Sequence, residues 1–365
     1  MIISRGNIKD GSMLETGLGR MGDLARFVAA LLGAFVLAGV PAHAATPAVR
    51  ELDIADYRAY LPDDHPVRQG MRRFAQLVEA KSGGSLRVRT RSDALPGAPA
   101  QQIAALRAGA PGAPALMLVA STGLAAFAPE FELLDLPFLV RDGRQADALL
   151  DGPFGDALLA HLAPAGLVGL GWWENGFRQI TGSGAPVRSA ADLRGLNFRV
   201  IGEPVFVETV RAMGANPVPM PFGELYDALK TRRVDAQDNF ISQILAGRLY
   251  EVQSWLTLSN HSYSPLVLVA NAAAWQSLSA QQQRVVRAAV AEAGQFQRRV
   301  ARDEALQARA QLARRGMAIE ELAPAELEKL RALTAPLRAR YFGRHERGLE
   351  QLYQAHVFVD HPATP

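Results

Sequence analysis

Three polar residues in this chain stand in settings that call for a partner. Arg178 lies between Phe177 and Ile180, Arg199 between Phe198 and Val200, and Asn239 just before Phe240 and Ile241. An arginine set in an apolar strand needs an anion beside it, because an unpaired buried guanidinium is costly. Its planar fork of donors fits a carboxylate bidentately. Two such arginines near an asparagine amide would form a receptor for a small organic acid. Spacing alone also fits two solvent-facing arginines at strand ends and a turn asparagine. Trp172, Trp173, Phe206, Phe222 and Tyr263 are candidates for the floor and wall of the same pocket. Aromatic residues in such positions equally serve as core.

Signals for other chemistry are weak. The chain carries no G-x-S-x-G, H-E-x-x-H or G-x-x-x-x-G-K-[ST] pattern. Gly166, Gly169 and Gly171 have the wrong spacing for a dinucleotide loop. The run Asp63-Asp64-His65-Pro66 admits a metal cluster, but it also reads as a helix start with proline in the first turn and carboxylates facing the helix dipole. His261 stands alone at a strand end without a nucleophile to serve, which reads as a hydrogen-bonded structural histidine. With no cysteine, disulfides, thiolates and Cys-ligated zinc are excluded. No cofactor or metal is expected.

The elements that must position these residues alternate between strand and helix. Strands are expected at 52–60, 86–90, 115–120, 167–173, 177–181, 197–201, 235–240, 256–260, 266–271 and 317–321, with 217–220 extended. Helices are expected at 65–82, 100–108, 144–162 (broken at Gly152-Pro153), 205–213, 223–232 and 242–252. One long helix covers 279–315 and two more close the chain. Ser189 reads as a helix N-cap. The pattern starts afresh near 177, so the expected fold is α/β with two lobes and a cleft between them.

A hydrophobic fraction of 49% over 365 residues supports a sizeable core. The net charge of +3, from 39 basic and 36 acidic residues, is too small and too scattered for a nucleic-acid footprint. Arg20 and Arg26 precede an apolar run at 27–40, followed by Ala42-His43-Ala44. This reads as a secretory signal peptide over 1–44, with Met13 and Met21 as alternative starts, and therefore as export to the periplasm. An uncleaved N-terminal anchor is the other reading of the same run.

Four stretches carry a family resemblance. The segment 127–139 is similar to P-E-x-x-x-L-x-L-P-F-L, and 176–182 to G-F-R-x-x-T. The segment 192–200 is similar to D-L-K-G-L-K-I-R-V, and 214–229 is followed by Val234-Asp-Ala-Gln-Asp-Asn239, which is similar to V-D-G-Q-E-N. In this order they resemble the substrate-binding proteins of tripartite ATP-independent periplasmic (TRAP) transporters, dicarboxylate-binding (DctP) type. The resemblance runs from about Leu52 to about Tyr341. It implies a two-lobed periplasmic binding protein fold, hinge-connected α/β domains and a long helix spanning both. The lobes are expected as 45–175 with 264–303, and 176–263 with 304–365. It implies that Arg199 pairs with a ligand carboxylate, that Asn239 bonds to the same group and that Arg178 assists. Trp173, Phe222 and Tyr263 are the expected pocket wall. The implied protein is a monomeric receptor, not an enzyme. It would capture a C4-dicarboxylate, sugar acid or keto acid and deliver it to a membrane permease of two subunits, without nucleic-acid partners. Presentation to a sensor kinase is the rival receptor role, and small-acid catalysis the rival outside that class.

The sequence departs from the pattern in places. Ala236 and Asp238 stand for Gly and Glu, and the stretches 94–99 and 108–114 lack the usual loop motifs. Those loops face the cleft from the first lobe in relatives, so the region that reads the far end of the ligand is left open.

Overall fold

The computed structural model describes residues 49–357. The expected signal segment lies outside the described residues. Among the described residues no helix is long and apolar enough to cross a membrane.

Among the described residues, nine strands form one mixed sheet: β1 Arg50–Asp56, β2 Leu86–Thr90, β3 Leu116–Ala120, β4 Leu167–Gly182, β5 Asn197–Val200, β6 Asn216–Pro219, β7 Ala236–Phe240, β8 Trp255–Asn271 and β9 Ala318–Glu321. The order is β2-β1-β3-β8-β4-β7-β5-β6, with β9 added on β8. β4 and β8 run antiparallel along their whole length. β3 takes the C-terminal part of β8, whereas β7 takes the C-terminal part of β4 and β9 the N-terminal part of β8. Each long strand therefore serves both halves of the sheet.

Here the structure corrects the sequence reading. The strands expected at 167–173 and 177–181 are one strand, as are those at 256–260 and 266–271. The intervening polar and turn-forming residues mark register shifts at Gly169/Gly171, Glu174/Gly176 and Arg178/Ile180, not strand ends. Such bulges bend and twist a strand without ending it. Gly176 supplies the positive φ of 111° that the middle shift requires.

The helices are α1 Pro66–Lys81, α2 Pro99–Ala108, α3 Ser121–Leu124, α4 Gly143–Leu150, α5 Pro153–Ala160, α6 Pro204–Ala212, α7 Phe222–Lys230, α8 Ile241–Ala246, α9 Ala272–Gln276, α10 Ala280–Arg314, α11 Pro324–Phe342 and α12 Arg347–Val357. The run 63–66 is a helix start: the His65 ring Nδ1 accepts from the Val67 amide at 3.2 Å, and Pro66 opens α1. Ser189 is the N-cap of a short 3-10 turn, Ala190–Leu193. The helix expected at 242–252 ends early as α8, because Gly247 and Arg248 (φ 54°) turn the chain.

Three apolar clusters cover the sheet. One joins α1 and α10 over Leu52, Ile54, Leu268 and Trp173. The largest runs from Ile103 and Phe131 to Ile180, Phe198 and Phe206. The third packs Leu225, Leu229, Ile244 and Leu312 around Leu256. The long helix α10 packs on α1, β4 and α8. It is pinned where β4 crosses: the Gln297 side chain accepts from the Glu174 amide and donates to the Glu174 carbonyl, both at 2.8 Å.

Candidate ligand-binding site

Arg178, Arg199 and Asn239 sit on three neighbouring strands, β4, β5 and β7. Pairing register sorts them by face. Arg178 is opposite Phe240 and Gln179 opposite Asn239, so Arg178 and Asn239 leave the β4–β7 pair on opposite faces. Arg199 is opposite Gln237, which places it on the face of Asn239. All three are at least nine-tenths buried.

The two arginines have different partners. Arg178 Nε donates to Asp238 Oδ2 at 2.6 Å, and Nη2 to Asp238 Oδ1 at 2.9 Å and to the Asp238 carbonyl at 2.7 Å. His261 closes the set, with Nε2 3.1 Å from Asp238 Oδ2 and Nδ1 2.7 Å from Ser259 Oγ. Burial pushes the Asp238 carboxyl up, but Arg178 and His261 outweigh it and hold it well below the usual carboxylate range. Burial lowers the Arg178 guanidinium, and Asp238 outweighs that and raises it. The His261 reading as a hydrogen-bonded structural residue agrees with these contacts.

Among the described residues, Arg199 has no carboxylate partner. Its Nε and Nη2 both donate to the Met220 carbonyl, at 2.9 and 2.7 Å. Burial and repulsion from Arg178 push this guanidinium down to about 10, with partial relief from Asp238 and Glu203. Among the described residues, Nη1 of Arg199 and Nη1 of Arg178 donate to no group of the chain. The Asn239 Oδ1 accepts only from the neighbouring Phe240 amide, at 3.1 Å. The arrangement can do one thing chemically: accept an anion with oriented donors.

The expected pocket aromatics fall elsewhere. Trp173 is fully buried against Gly70 and Gly294, so it supports the crossing strand from within the core. Tyr263 is buried, packs its ring at a tilt on Phe177 with centroids 4.9 Å apart and donates to Glu174 Oε2 at 3.2 Å. Phe222 is exposed at the start of α7. The aromatics beside Arg178 are Phe206 and Phe240, whose ring centres lie 5.5 and 5.2 Å from its guanidinium carbon. Phe206 was among the sequence candidates; Phe240 was not.

Sequence reasoning passed over three acids near the arginines. Asp238 was read only as a motif variant. Asp135, from the 3-10 segment Pro129–Asp135, is buried and accepts from Thr122 Oγ1 at 2.9 Å. Glu203 is the N-cap residue of α6. The available signal was a lone carboxylate in the apolar run Leu133-Leu134-Asp135-Leu136. Just after the 3-10 segment the chain is tied to β8 by the Phe138 amide, which donates to the His261 carbonyl at 2.8 Å.

A cavity of about 270 Å³ lies between the crossing strands and α10; Gln179 and Phe240, the chain neighbours of Arg178 and Asn239, line it, whereas Arg178, Arg199 and Asn239 do not. Arg58, Asn175, Phe177, Gln179, Phe240 and Arg302 are among its lining residues. Arg58 is committed there to Asp56, with Nε 2.9 Å from Oδ1 and Nη2 3.0 Å from Oδ2.

Residues 58–344 match the bacterial extracellular solute-binding proteins, family 7 (DctP). The chain belongs to this family. It is 37% identical to the 2,3-diketo-L-gulonate-binding periplasmic protein of Escherichia coli K12, over 64% of this chain and 70% of the relative. It is 31% identical to the C4-dicarboxylate-binding periplasmic protein of Rhodobacter capsulatus, over 76% of this chain and 82% of the relative. The sugar acid binding protein of Advenella mimigardefordensis, solved with galactonate, superimposes with a TM-score of 0.75 at 35% identity, covering 85% of this chain and 98% of that one. The fold is the two-lobed one of the TRAP solute-binding proteins, as the resemblance implied. Members of the family are solute-binding receptors.

Proposed function

We propose that this family 7 receptor captures a small organic acid in the periplasm and delivers it to a TRAP membrane permease. The observation that carries the reading is Arg199, a buried guanidinium whose protein partner is a single backbone carbonyl. Burying that charge is unfavourable until an anion arrives. In this reading Arg199 grips the ligand carboxylate, Asn239 supports it from the same face, and Nη1 of Arg178 reaches it from the other side of the strand ends. Asp238 then holds Arg178 rigid while leaving that nitrogen free. The sugar acid and dicarboxylate relatives support a carboxylate ligand.

The crossing of β4 and β8 supports a division between lobes at 175/176 and 263/264, whereas the last helix α12 packs on α4 and α5 of the first lobe. The register there pairs Glu174 with Pro265 and Gly176 with Ser264, at a bulge where a hinge has least ladder to break. A thermal-shift screen of the protein against organic acids and neutral sugars tests the function. A ligand bound only by the native state adds about 4 kcal/mol at a thousandfold excess over Kd. Stabilisation by an acid is expected. Stabilisation by a neutral sugar and by no acid would overturn the reading.

A further inference from the structure

The cavity between the crossing strands and α10 is separate from the arginine site, since Arg178, Arg199 and Asn239 do not line it. Its walls come from both sides of the 175/176 division, Pro66 and Asn175 from one and Phe240 and Ile241 from the other. At about 270 Å³ it comes close to the roughly 300 Å³ at which ligand pockets begin. Phe177, Phe240 and Leu306 give it an apolar surface. On α10, Ala301 and Ala305 lie one turn apart along it and leave space that larger side chains would fill.

A cavity that stays dry is apolar, whereas this one is bordered by polar groups with bonding capacity to spare. Both lining arginines are already matched, Arg58 by Asp56, and Arg302 by Asp147 and Glu174. Glu174 also takes the Tyr263 hydroxyl. Glu304 differs. It is partly buried and lines the cavity from α10, with no hydrogen-bond or ion-pair partner among the described residues. Burial, and then the acid Asp64, push its carboxyl up to about 7, and no base opposes them. The other unspent groups are neutral. His65 Nδ1 accepts from the Val67 amide at 3.2 Å. Burial first, and then Arg58 and Arg68, push that ring down to about 3. The ring is therefore neutral at pH 7, and its Nε2 carries the hydrogen. That nitrogen, the Ser242 hydroxyl and the Gln243 Nε2 have no partner among the described residues.

We infer that this cavity is a second binding site, for a small hydroxylated amine: Glu304 pairs with the ammonium, and hydroxyl oxygens of the ligand accept from His65 Nε2, Ser242 and Gln243. An ammonium supplies the base that Glu304 lacks, and a hydrogen bond between charged groups is about twice as strong as a neutral one. Hydroxyl oxygens suit neutral donors. A ligand carboxylate would instead meet Glu304 and find both lining arginines taken, and like charges placed together are costly. The inference stands on the cavity alone and does not depend on the proposed acid receptor.

Calorimetric titration at pH 8 in an amine-free buffer provides the test. The probes are 3-amino-1,2-propanediol and glucamine. The controls are glycerol and sorbitol, which carry a hydroxyl in place of the amine, and propylamine, which lacks the hydroxyls. At least one probe is expected to bind at one site per chain, tenfold or more ahead of its matching alcohol and of propylamine. Glu304→Gln should weaken it at least tenfold. Ala301→Leu and Ala305→Leu, which fill the cavity without touching the charge, should each do the same. Melting curves show which variants fold, and the two filling changes keep the location testable if one folds poorly. Failure of both probes to bind would overturn the inference and leave the cavity to water. A matching alcohol that binds as tightly would remove Glu304 from the role. Binding that survives in the folded variants would place the amine elsewhere. Displacement of the amine by the acid found in the thermal-shift screen would join this cavity to the acid site and overturn a second site, with the acid receptor left standing.

Discussion

Replacing Arg199 by methionine should separate stability from binding. Met fills much of the same volume without the charge. In the free protein the guanidinium is held down to about 10 from an ordinary 12.5. At about 1.4 kcal/mol per pH unit, the charged form is disfavoured by about 3 kcal/mol on folding. Its folded value is still above neutral pH, so the side chain is charged in both states at pH 7 and this cost is fully present there. Arg199→Met removes it, but leaves the Met220 carbonyl without two donors, a loss of about 1–3 kcal/mol. The two effects oppose, and the free variant should melt no lower than wild type, or slightly higher. Ligand affinity should move the other way. Losing charge-assisted hydrogen bonds worth about 1.5–3 kcal/mol weakens binding roughly tenfold to 150-fold. Arg199→Lys should also bind weakly, because an ammonium cannot supply the planar fork. Calorimetric melting of the free variants and titration with the acid found in the screen give both readouts. A large fall in melting temperature with Kd changed by less than threefold would refute the reasoning and make Arg199 a structural brace.

Arg178→Met and Asp238→Asn should behave oppositely to Arg199→Met, since each breaks a buried, multiply bonded pair and should cost about 3–5 kcal/mol of stability, read by denaturant unfolding; wild-type stability for either variant would refute the pairing. Stability should also depend on pH through Asp135: its folded value near 7 exceeds the unfolded 3.8, so the unfolded chain releases its proton first and Asp135 opposes folding increasingly from about pH 4 to 7 and fully above. Asp135→Asn should therefore raise the melting temperature of the free protein at pH 8 and change it little at pH 4, and an equal effect at both would count against a buried, raised carboxyl.

Much of this protein was determined locally and was therefore legible in its sequence. Helix α1 has an apolar stripe at Val67, Met71, Phe74 and Val78 and a Pro66 start, and it forms within a residue or so of the expected bounds. The short parallel strands β2, β3 and β5 are apolar or alternating runs ended by turn residues, and these too were readable. The motif residues Arg178, Arg199 and Asn239 were recognisable because charged or amide groups among apolar neighbours are conspicuous. Tertiary structure decided the rest. Whether 167–182 is one strand or two depends on whether a partner strand holds it through its bulges, and that partner, β8, lies some eighty residues away. Whether an aromatic lines a pocket or fills a core depends on what packs on it: Trp173 meets Gly70 and Gly294, contacts no local pattern foretells. Which arginine carries an acid partner was settled by Asp238, whose side chain pairs with Arg178 and not with Arg199. Strand register, set by pairing across the sheet, assigns the face on which each lies, and so only the fold could tell the guanidinium paired with an acid from the one held by a backbone carbonyl.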